Sequence, residues 1–439
     1  MTLTLAHLSD THIGYEAYKT LSKGGENQRS VDFAKAFSLA VDDIIANDPP
    51  LVIHAGDVAD KTIIPIRLML FIRMEFSRLA GIRPDGSRRQ VVVVAGNHEL
   101  PRSRKEACFL ELIKDLPGVH VSTTSYDKFV FEHLPESDQS LKDVIVHTLP
   151  HDVLKTIDYS VVQPEEGKIN ILSSHGVAGG SELFTRSLGR EFSIPAELLM
   201  RNWEYVALGH WHKQGPVDFG LNFAKVSPSS TGKTPNRVWY SGSTENSGFG
   251  DVLEGGVERG WLKVTISGDD LYVLPQIIPT RKMFRLPEID GNGLSPSEIC
   301  RALENNIKAV ELNGCIVGQI VTNVDREVWS LVDLNYIKGL ATDALHYDVA
   351  VKRIKTFNPD SVGFAVENTS LHSLISDVCS EVLSDVGERA AVLEYVKSVL
   401  DLEDDSLKSV ESIVLEHDDE FPQSGSGLIS MKTGTSDVE

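Results

Sequence analysis

Residues 1 to about 278 alternate short apolar runs with amphipathic stretches, and this alternation constrains the fold more than any other feature of the chain. Eight runs rich in Val, Ile, Leu and Tyr predict β-strands, at 3–8, 51–54, 91–95, 144–148, 169–173, 205–208, 238–240 and 261–266. Between the first two runs, Phe33, Phe37 and Val41 recur at helical spacing. Strands that alternate with helices in this way predict an α/β fold with buried strands.

Polar clusters follow five of the predicted strands, and they are Asp10-Thr11-His12, Gly56-Asp57-Val58-Ala59-Asp60, Gly96-Asn97-His98-Glu99, Ser174-His175-Gly176 and Gly209-His210-Trp211-His212. Ligands of open α/β sheets gather outside the carboxyl ends of strands, so we expect the clusters to meet in one crevice. Carboxylates, imidazoles and an amide form a mixed nitrogen and oxygen donor set. Such a set is suited to Mn, Fe or Zn and differs from a thiolate metal site. The number of ligands indicates a metal pair able to support in-line displacement at phosphorus.

Histidines also occur inside the strand patterns, at His7, His54 and His147. A histidine in an apolar strand is more often a satisfied core residue than a metal ligand. We therefore interpret these three as structural.

The charge of the chain is unevenly distributed. There are 63 acidic and 42 basic residues, a formal net charge of -21, which argues against binding to nucleic acid by bulk positive charge. Residues 371–439 contain 16 acids and 4 bases, whereas residues 61–105 contain ten bases and three acids. Each arginine of this basic block is best explained singly as part of a solvated face. Together the ten are a candidate phosphate-contacting surface.

Composition and the N-terminal sequence indicate the cellular compartment. Four widely spaced cysteines are typical of reduced thiols rather than of a disulfide framework. The N-terminus lacks the basic and long apolar segments of a signal peptide. The apolar runs fall well short of the ~20 residues that a membrane span needs. We expect a cytoplasmic protein with no membrane association.

Residues 63–79 form a predicted helix whose apolar side chains cover nearly its whole circumference. Such a helix is buried on all sides. It is either central to its own fold, or it packs one face on the sheet and the other on a second copy of the chain.

Three further regions follow the first domain, which we assign to 1–278. A smaller unit at 279–357 contains helix and strand patterns in alternation, at 297–310, 315–321, 335–345 and 347–355. Residues 358–422 contain a linker and short amphipathic helices, and 423–439 are predicted to be disordered.

The ordered set of clusters resembles the calcineurin-like metallophosphoesterases, and more fully the SbcD-type nuclease subunit of the DNA double-strand-break repair complex. Further stretches carry the resemblance: Asp10-Thr11-His12-Ile13-Gly14, Asn27-Gln28-Arg29-Ser30-Val31-Asp32, His54-Ala55-Gly56-Asp57 and Tyr240-Ser241-Gly242-Ser243-Thr244-Glu245. The resemblance is specific over 1–265 and weaker over 280–357. It implies a two-sheet sandwich flanked by helices, a small α+β capping domain that contacts DNA (279–357) and C-terminal helices (358–422) that bind an SbcC-type coiled-coil ATPase.

The resemblance also implies residue roles. One metal ion is bound by Asp10, His12 and His212, the other by Asn97, His175 and His210, and Asp57 bridges them. His98 binds no metal and contacts the scissile phosphate. We expect Asp60 and Glu99 to support the ligands from behind; Glu99 replaces the family's usual Asp, which leaves open whether it orients His98. The candidates for contact with DNA are Arg102, Arg104, Lys105, Arg186 and Arg190.

The implied function is that of a nuclease that processes DNA ends in repair and recombination, with two divalent metal ions, expected to be Mn²⁺. The family acts as a 3′-to-5′ exonuclease on duplex ends and an endonuclease on single strands. We expect a nucleoid-associated homodimer joined through helix 63–79. Two alternatives stay open: a phosphodiesterase or phosphatase that acts on small nucleotides, and a DNA-tethering scaffold subunit with weak catalysis.

Overall fold

The computed structural model describes residues 2–100, 108–132, 136–181, 192–219, 232–256 and 258–352. All of these residues belong to one compact unit, Met1–Lys355. The predicted helical region 358–422 and the tail 423–439 therefore lie outside the described residues, and their assignments stay predictions.

The strands are numbered in chain order: β1 (Thr2–Leu8), β2 (Leu51–His54), β3 (Gln90–Val94), β4 (Val119–Ser122), β5 (Asp127–Val130), β6 (Val144–Leu149), β7 (Ile169–His175), β8 (Val177–Ala178), β9 (Ser193–Ile194), β10 (Tyr205–Gly209), β11 (Gly215–Pro216), β12 (Lys233–Thr234), β13 (Val238–Tyr240), β14 (Arg259–Ser267), β15 (Asp270–Ile278), β16 (Met283–Arg285), β17 (Ile289–Asp290), β18 (Ile316–Thr322) and β19 (His346–Lys352). All eight predicted strands are present, with ends shifted by at most two residues. β15 has no predicted counterpart, because Pro275 within it weakens the strand pattern.

The α-helices are α1 (Gln28–Asn47), α2 (Ile66–Leu79), α3 (Ala196–Leu199), α4 (Phe249–Gly255), α5 (Pro296–Lys308), α6 (Arg326–Ser330) and α7 (Leu334–Leu340). Short 3-10 helices occupy Phe109–Ile113, Gln139–Leu141, His151–Lys155 and Tyr159–Val161.

Two sheets stack face to face. The first has the order β12-β15-β14-β1-β2-β3-β4, with β1 to β4 parallel, and the second has the order β11-β13-β10-β7-β6-β5, with β13, β10, β7 and β6 parallel. Alternate side chains of each strand fill the core between the sheets, for example Leu3 and Leu5 of β1 against Ile171 and Tyr205. The other faces are covered by helices, α1 and α2 on the first sheet and α3 on the second. The predicted two-sheet sandwich flanked by helices is confirmed.

Strand direction positions the functional side chains. Asp10, Asp57 and Asn97 follow the carboxyl ends of the parallel strands β1, β2 and β3. His175 ends β7, and His210 follows its parallel neighbour β10. Parallel strands end at the same edge of their sheet, so both halves of the predicted site lie at the carboxyl edges of the sandwich.

Helix α2 is not buried on all sides, which contradicts the alternative that it is central to its own fold. Ile72, Phe76 and Leu79 face the first sheet and are buried. Ile66 and Leu70 are 74% and 62% exposed, because the sheet covers one side of the helix only.

The third sheet has its own hydrophobic core. β18 is its central strand; β19 pairs along one edge, and β16 and β17 pair in succession along the other. Helix α5 begins with a capping box formed by Ser295 and Glu298. Helix α7 ends at Leu340, five residues earlier than predicted, because the backbone of Asp343 and Leu345 pairs with Gly314 and Cys315 instead.

Candidate metal centre

The turns after the strands hold their side chains in a strained backbone. Asp10, His12, Asp57 and His210 have φ values of 52°, 41°, 55° and 99°, in the left-handed region that residues with a Cβ rarely adopt. A Cβ at Gly96 would lie 2.2 Å from Asp57 Oδ1, so only glycine lets this loop approach the carboxylate. Such strain is typical of a functional site.

The structure brings the side chains of the first predicted ligand set together. Ligand atoms of Asp10, His12 and His212 lie within 4.8 Å of one another. The two imidazole Nε2 atoms are 3.1 Å apart, and each is 3.9 Å from Asp10 Oδ1. Asp10 is held by the backbone N–H of His210, which donates to both carboxylate oxygens at 3.1 Å.

The second set is assembled around Asn97 and Asp57. Asn97 Oδ1 lies 3.0 Å from His175 Nε2 and 3.1 Å from His210 Nδ1. Asp57 Oδ2 lies 3.3 Å from His175 Nε2 and 3.7 Å from His12 Nε2, so this carboxylate reaches both sets. Asp10 also lies within reach of Asp57 and His175.

Burial and mutual attraction decide which groups are charged. Burial lowers the pKa of His12 to about 4, so its ring is neutral with a free lone pair. Burial disfavours charge on His175 and Asp57 as well, but their attraction outweighs it, raising the pKa of His175 to about 9 and holding that of Asp57 well below its usual range. Asp57 is therefore ionised although it is buried.

These donors fit divalent cations. The imidazole Nδ1 of His175 donates to the carbonyl of Ala55 at 2.8 Å, which turns its Nε2 toward the ligand set. Imidazole nitrogens that face each other, beside the buried Asp10 and Asp57 carboxylates, form a mixed nitrogen and oxygen donor set of the kind that Mn, Fe and Zn accept.

His98 lies at the edge of this cluster. Its side chain is 36% exposed, whereas those of His12 and His175 are 4% and 0% exposed. Its Nδ1 donates to the backbone carbonyl of Asp60 at 2.6 Å, and its Nε2 lies 3.9 Å from Asp57 Oδ2. The ring is thus fixed with Nε2 toward the site and one face open.

Asp60 and Glu99 hold the site in different ways. Asp60 Oδ1 lies 3.7 Å from His12 Nδ1, behind that ligand. Glu99 is fully buried and accepts the backbone N–H groups of Asp57, Ala59 and Gly96 at 3.0, 2.9 and 2.7 Å. The hydrogen bonds of Glu99 join two loops, while the carbonyl of Asp60 orients His98.

Asp251 is a member of the site that sequence reasoning missed. It lies on α4, and its carboxylate oxygens are 3.2 and 3.1 Å from His212 Nδ1. Burial opposes its ionisation, but hydrogen bonds from His212 and Ser247 outweigh it and lower the pKa of Asp251 below its usual range. Asp251 is 39 residues from His212, and no local motif marks it.

The remaining residues that carried the resemblance are structural. Arg29 of α1 is fully buried, donates to Asp32 at 2.7 Å and pairs with Glu245 at 3.4 Å. His7, His54 and His147 bond the hydroxyls of Tyr205, Thr11 and Tyr126, as predicted for core histidines.

The described part of the basic block is paired within the chain. The ion pairs are Lys61 with Glu16, Arg67 with Glu26, Arg73 with Asp115, Arg78 with Asp42 and Glu75, Arg83 with Asp48, Asp85 and Asp138, Arg88 with Glu136, and Arg89 with Asp48. Each of these seven residues of the candidate phosphate-contacting surface therefore has at least one acidic partner in the chain, and most of these acids are distant in sequence. The five candidates for DNA contact, Arg102, Arg104, Lys105, Arg186 and Arg190, lie outside the described residues.

An α/β sandwich with this ligand set at its strand ends has the architecture of a metal-dependent phosphoesterase. Residues 3–214 match the family model of the calcineurin-like phosphoesterases. Residues 3–214 therefore form a calcineurin-like metallophosphoesterase domain, as the resemblance implied.

The chain is also similar to curated proteins, three of which are described next. The chain is 24% identical over 434 residues to a protein named DNA double-strand break repair protein Mre11 from Methanosarcina acetivorans, covering 95% of this chain and 62% of the relative. It is 29% identical over 276 residues to the protein of that name from Methanocaldococcus jannaschii, covering 61% and 64%. It is 23% identical over 267 residues to the SbcD subunit of nuclease SbcCD from Bacillus subtilis, covering 55% and 65%. The chain thus spans less than two thirds of the length of each.

Within the described residues, no helix combines the length and the apolar character needed to cross a bilayer.

Proposed function

We propose that this protein is a dinuclear-metal DNA nuclease of the SbcD and Mre11 type. The observation that carries the proposal is the convergence of Asp10, Asp57, Asn97 and four histidines around one crevice, with His98 beside it. The names of the relatives favour DNA over a small nucleotide as the substrate. The third sheet adds a separate surface that a small-substrate enzyme does not require.

We assign separate roles in metal binding and catalysis to the residues of the site. Two divalent ions, for which we propose Mn²⁺, would supply Lewis acidity and activate a water for attack on phosphorus. Asp10, His12 and His212 would hold one ion and Asn97, His175 and His210 the other, and the Asp57 carboxylate reaches both sets of residues. His98 faces the leaving oxygen through Nε2, since its Nδ1 is engaged by the Asp60 carbonyl. It stabilises the charge that develops there or donates a proton.

The proposal extends to activity, partners and place in the cell. We propose 3′-to-5′ exonuclease activity on duplex ends and endonuclease activity on single strands, in a cytoplasmic, nucleoid-associated complex. The partners are a second copy of the chain and an SbcC-type coiled-coil ATPase bound through residues 358–422. The exposed apolar side chains of α2 support the homodimer.

The test is Mn²⁺-dependent degradation of end-labelled duplex DNA by wild type and His98→Ala. Removal of a general acid typically costs 10²–10⁴-fold, so we expect cleavage to fall by at least about 100-fold while DNA binding and metal content are unchanged. The matched control is His346→Ala, a half-buried histidine of the third sheet, which should cleave as wild type does.

Other outcomes would contradict the proposal. Failure of wild type to cleave DNA, with turnover of a small nucleotide diester instead, indicates the phosphodiesterase alternative. Binding of DNA without cleavage of either substrate indicates a tethering protein.

A further inference from the structure

Asp251 controls how His212 presents its lone pair. A carboxylate only accepts hydrogen bonds when ionised, so the contacts of 3.2 and 3.1 Å place the hydrogen of the neutral ring on Nδ1. The His212 Nε2 lone pair then faces His12 and the metal site. Such carboxylate partners of ligating histidines fix both the tautomer and the ring orientation.

Asp251 is itself held independently of any metal. Its Oδ2 accepts the backbone N–H and the hydroxyl of Ser247, both at 2.7 Å. The carbonyl of Ser247 accepts the hydroxyl of Tyr15 at 2.7 Å. The start of helix α4 is thereby anchored to the loop that follows β1, beside the ligands Asp10 and His12.

The same helix packs against the third sheet. The ring of Phe249 lies against the backbone of Gly318 in β18, where an added Cβ would come within 2.9 Å of the ring. The guanidinium of Arg285 in β16 lies 5.3 Å from the centre of the same ring. Residues two apart on a helix point in different directions. Phe249 can therefore contact the third sheet while Asp251 contacts His212.

We propose that Asp251 is a positioning residue for His212, and that α4 makes metal affinity depend on the packing of Phe249 against the third sheet. This inference rests on the proposed metal-dependent function. A shift of the third sheet against the sandwich, such as a bound nucleic acid or partner could produce, would move Phe249, Asp251 and His212 in turn. The third sheet would then regulate the metal centre without contributing a ligand.

The first test measures Mn²⁺ binding directly, by the electron paramagnetic resonance signal of free Mn²⁺ during titration of the full chain. Loss of an outer partner of a ligating histidine typically costs 10–100-fold in metal affinity. Asp251→Ala should therefore lower the affinity for one of the two Mn²⁺ ions by that factor. Asp251→Asn keeps an oxygen acceptor and should recover part of the loss. Equal affinity of Asp251→Ala and wild type would overturn the role of Asp251.

The second test concerns the coupling through Phe249. Phe249→Ala should lower the affinity for the same Mn²⁺ ion by about three- to tenfold, which is less than the loss expected for Asp251→Ala. The matched control is Trp329→Ala, which removes an aromatic side chain from the core of the third sheet, and it should bind Mn²⁺ as wild type does. Wild-type affinity in Phe249→Ala, or an equal loss in the control, would overturn the coupling.

The two proposals can fail separately. Mn²⁺ affinities that change as expected in a protein that cleaves no DNA would support this inference and contradict the nuclease. A wild-type chain that binds no Mn²⁺ would overturn both.

Discussion

Glu99 shows how much a single buried side chain can organise. Its two oxygens accept three backbone N–H groups from the loops that carry Asp57 and Asn97. Burial and the nearby Asp57 raise its pKa to about 7, although the backbone N–H groups favour its ionised form. The Glu99 carboxylate thus provides acceptors for backbone N–H groups that have no partner in a helix or sheet at this position.

Glu99→Ala should therefore destabilise the protein strongly. Three buried N–H groups lose their acceptor, at about 1–3 kcal/mol each, so we expect a loss of roughly 3 kcal/mol or more in the free energy of unfolding. Glu99→Gln keeps one oxygen and should lose less. Urea unfolding gives both values, and a Glu99→Ala variant as stable as wild type would contradict this account.

His147 links stability to pH, because it is buried among Tyr126, Asn170 and Trp203. Burial lowers its pKa from 6.5 to about 4 in the folded chain. Between these values the unfolded chain binds more protons than the folded one does. The contribution of His147 is thus complete above pH 6.5 and is lost as the pH falls from 6.5 to about 4.

His147→Gln should reduce the pH dependence of the free energy of unfolding in this window, by at most about 1.4 kcal/mol per pH unit. Denaturant unfolding at several pH values from 7 to 4 measures the slope. Val146→Ala, a neighbouring core variant without a titrating group, should be less stable but keep the wild-type slope. If both variants have the same slope, His147 is not the linked group.

Helix α2 leaves one apolar side uncovered by the rest of the described chain. Ile66, Leu70 and Met74 recur every fourth residue and are 74%, 62% and 52% exposed. Residues four apart lie on one face of a helix, so these side chains form a continuous apolar stripe. A stripe of this kind on an exposed helix favours packing against an identical stripe of a second copy.

Leu70→Glu should separate the proposed dimer without unfolding the chain, since Leu70 contributes little to the core of its own fold. Light scattering at micromolar concentration should give twice the mass of the chain for wild type and the single mass for the variant. Leu331→Glu changes an isolated apolar side chain, 73% exposed, and should leave the mass unchanged. A wild-type monomer would rule out the dimer.

For the whole molecule, the metal centre is a junction between the two sheets. Asp10 and Asp57 follow strands of the first sheet, while His175 and His210 belong to strand ends of the second. An ion held by both groups would join the two sheets and would bind only the folded chain. Metal binding should therefore appear as global stability.

Mn²⁺ at 100 times its dissociation constant should stabilise wild type by about 2.7 kcal/mol for each site. His175→Ala should show a smaller gain on addition of Mn²⁺, while His98→Ala should show the full gain if His98 binds no metal, as we propose. Thermal unfolding with Mn²⁺ or with a chelator measures the difference. Equal gains in wild type and His175→Ala would contradict the proposed ligand set.

Much of the fold and of the ligand set could be predicted from sequence, because both depend on local patterns. The run Val91 to Val94 predicts a strand buried on both faces, because a continuous apolar run is typical of a buried parallel strand. Asn97, directly after that strand, lies at its carboxyl end in any sheet. Strand direction therefore brings Asn97 to the same end of the sandwich as the other candidate ligands that follow strands, before any side-chain contact is considered.

What only the tertiary structure decided are the contacts between residues far apart in the chain. Asp251 meets His212 because α4 returns to the site, Glu99 accepts amides from another loop, and acids from distant segments neutralise Arg83 and Arg88. The exposed side of α2 belongs here too, since a helix apolar all round does not reveal which side the sheet covers. The sequence by itself determined which side chains lie at the strand ends. The tertiary structure decided which distant residues hold those side chains, which acids neutralise the arginines and which side of α2 is exposed, because those contacts depend on how the elements pack together.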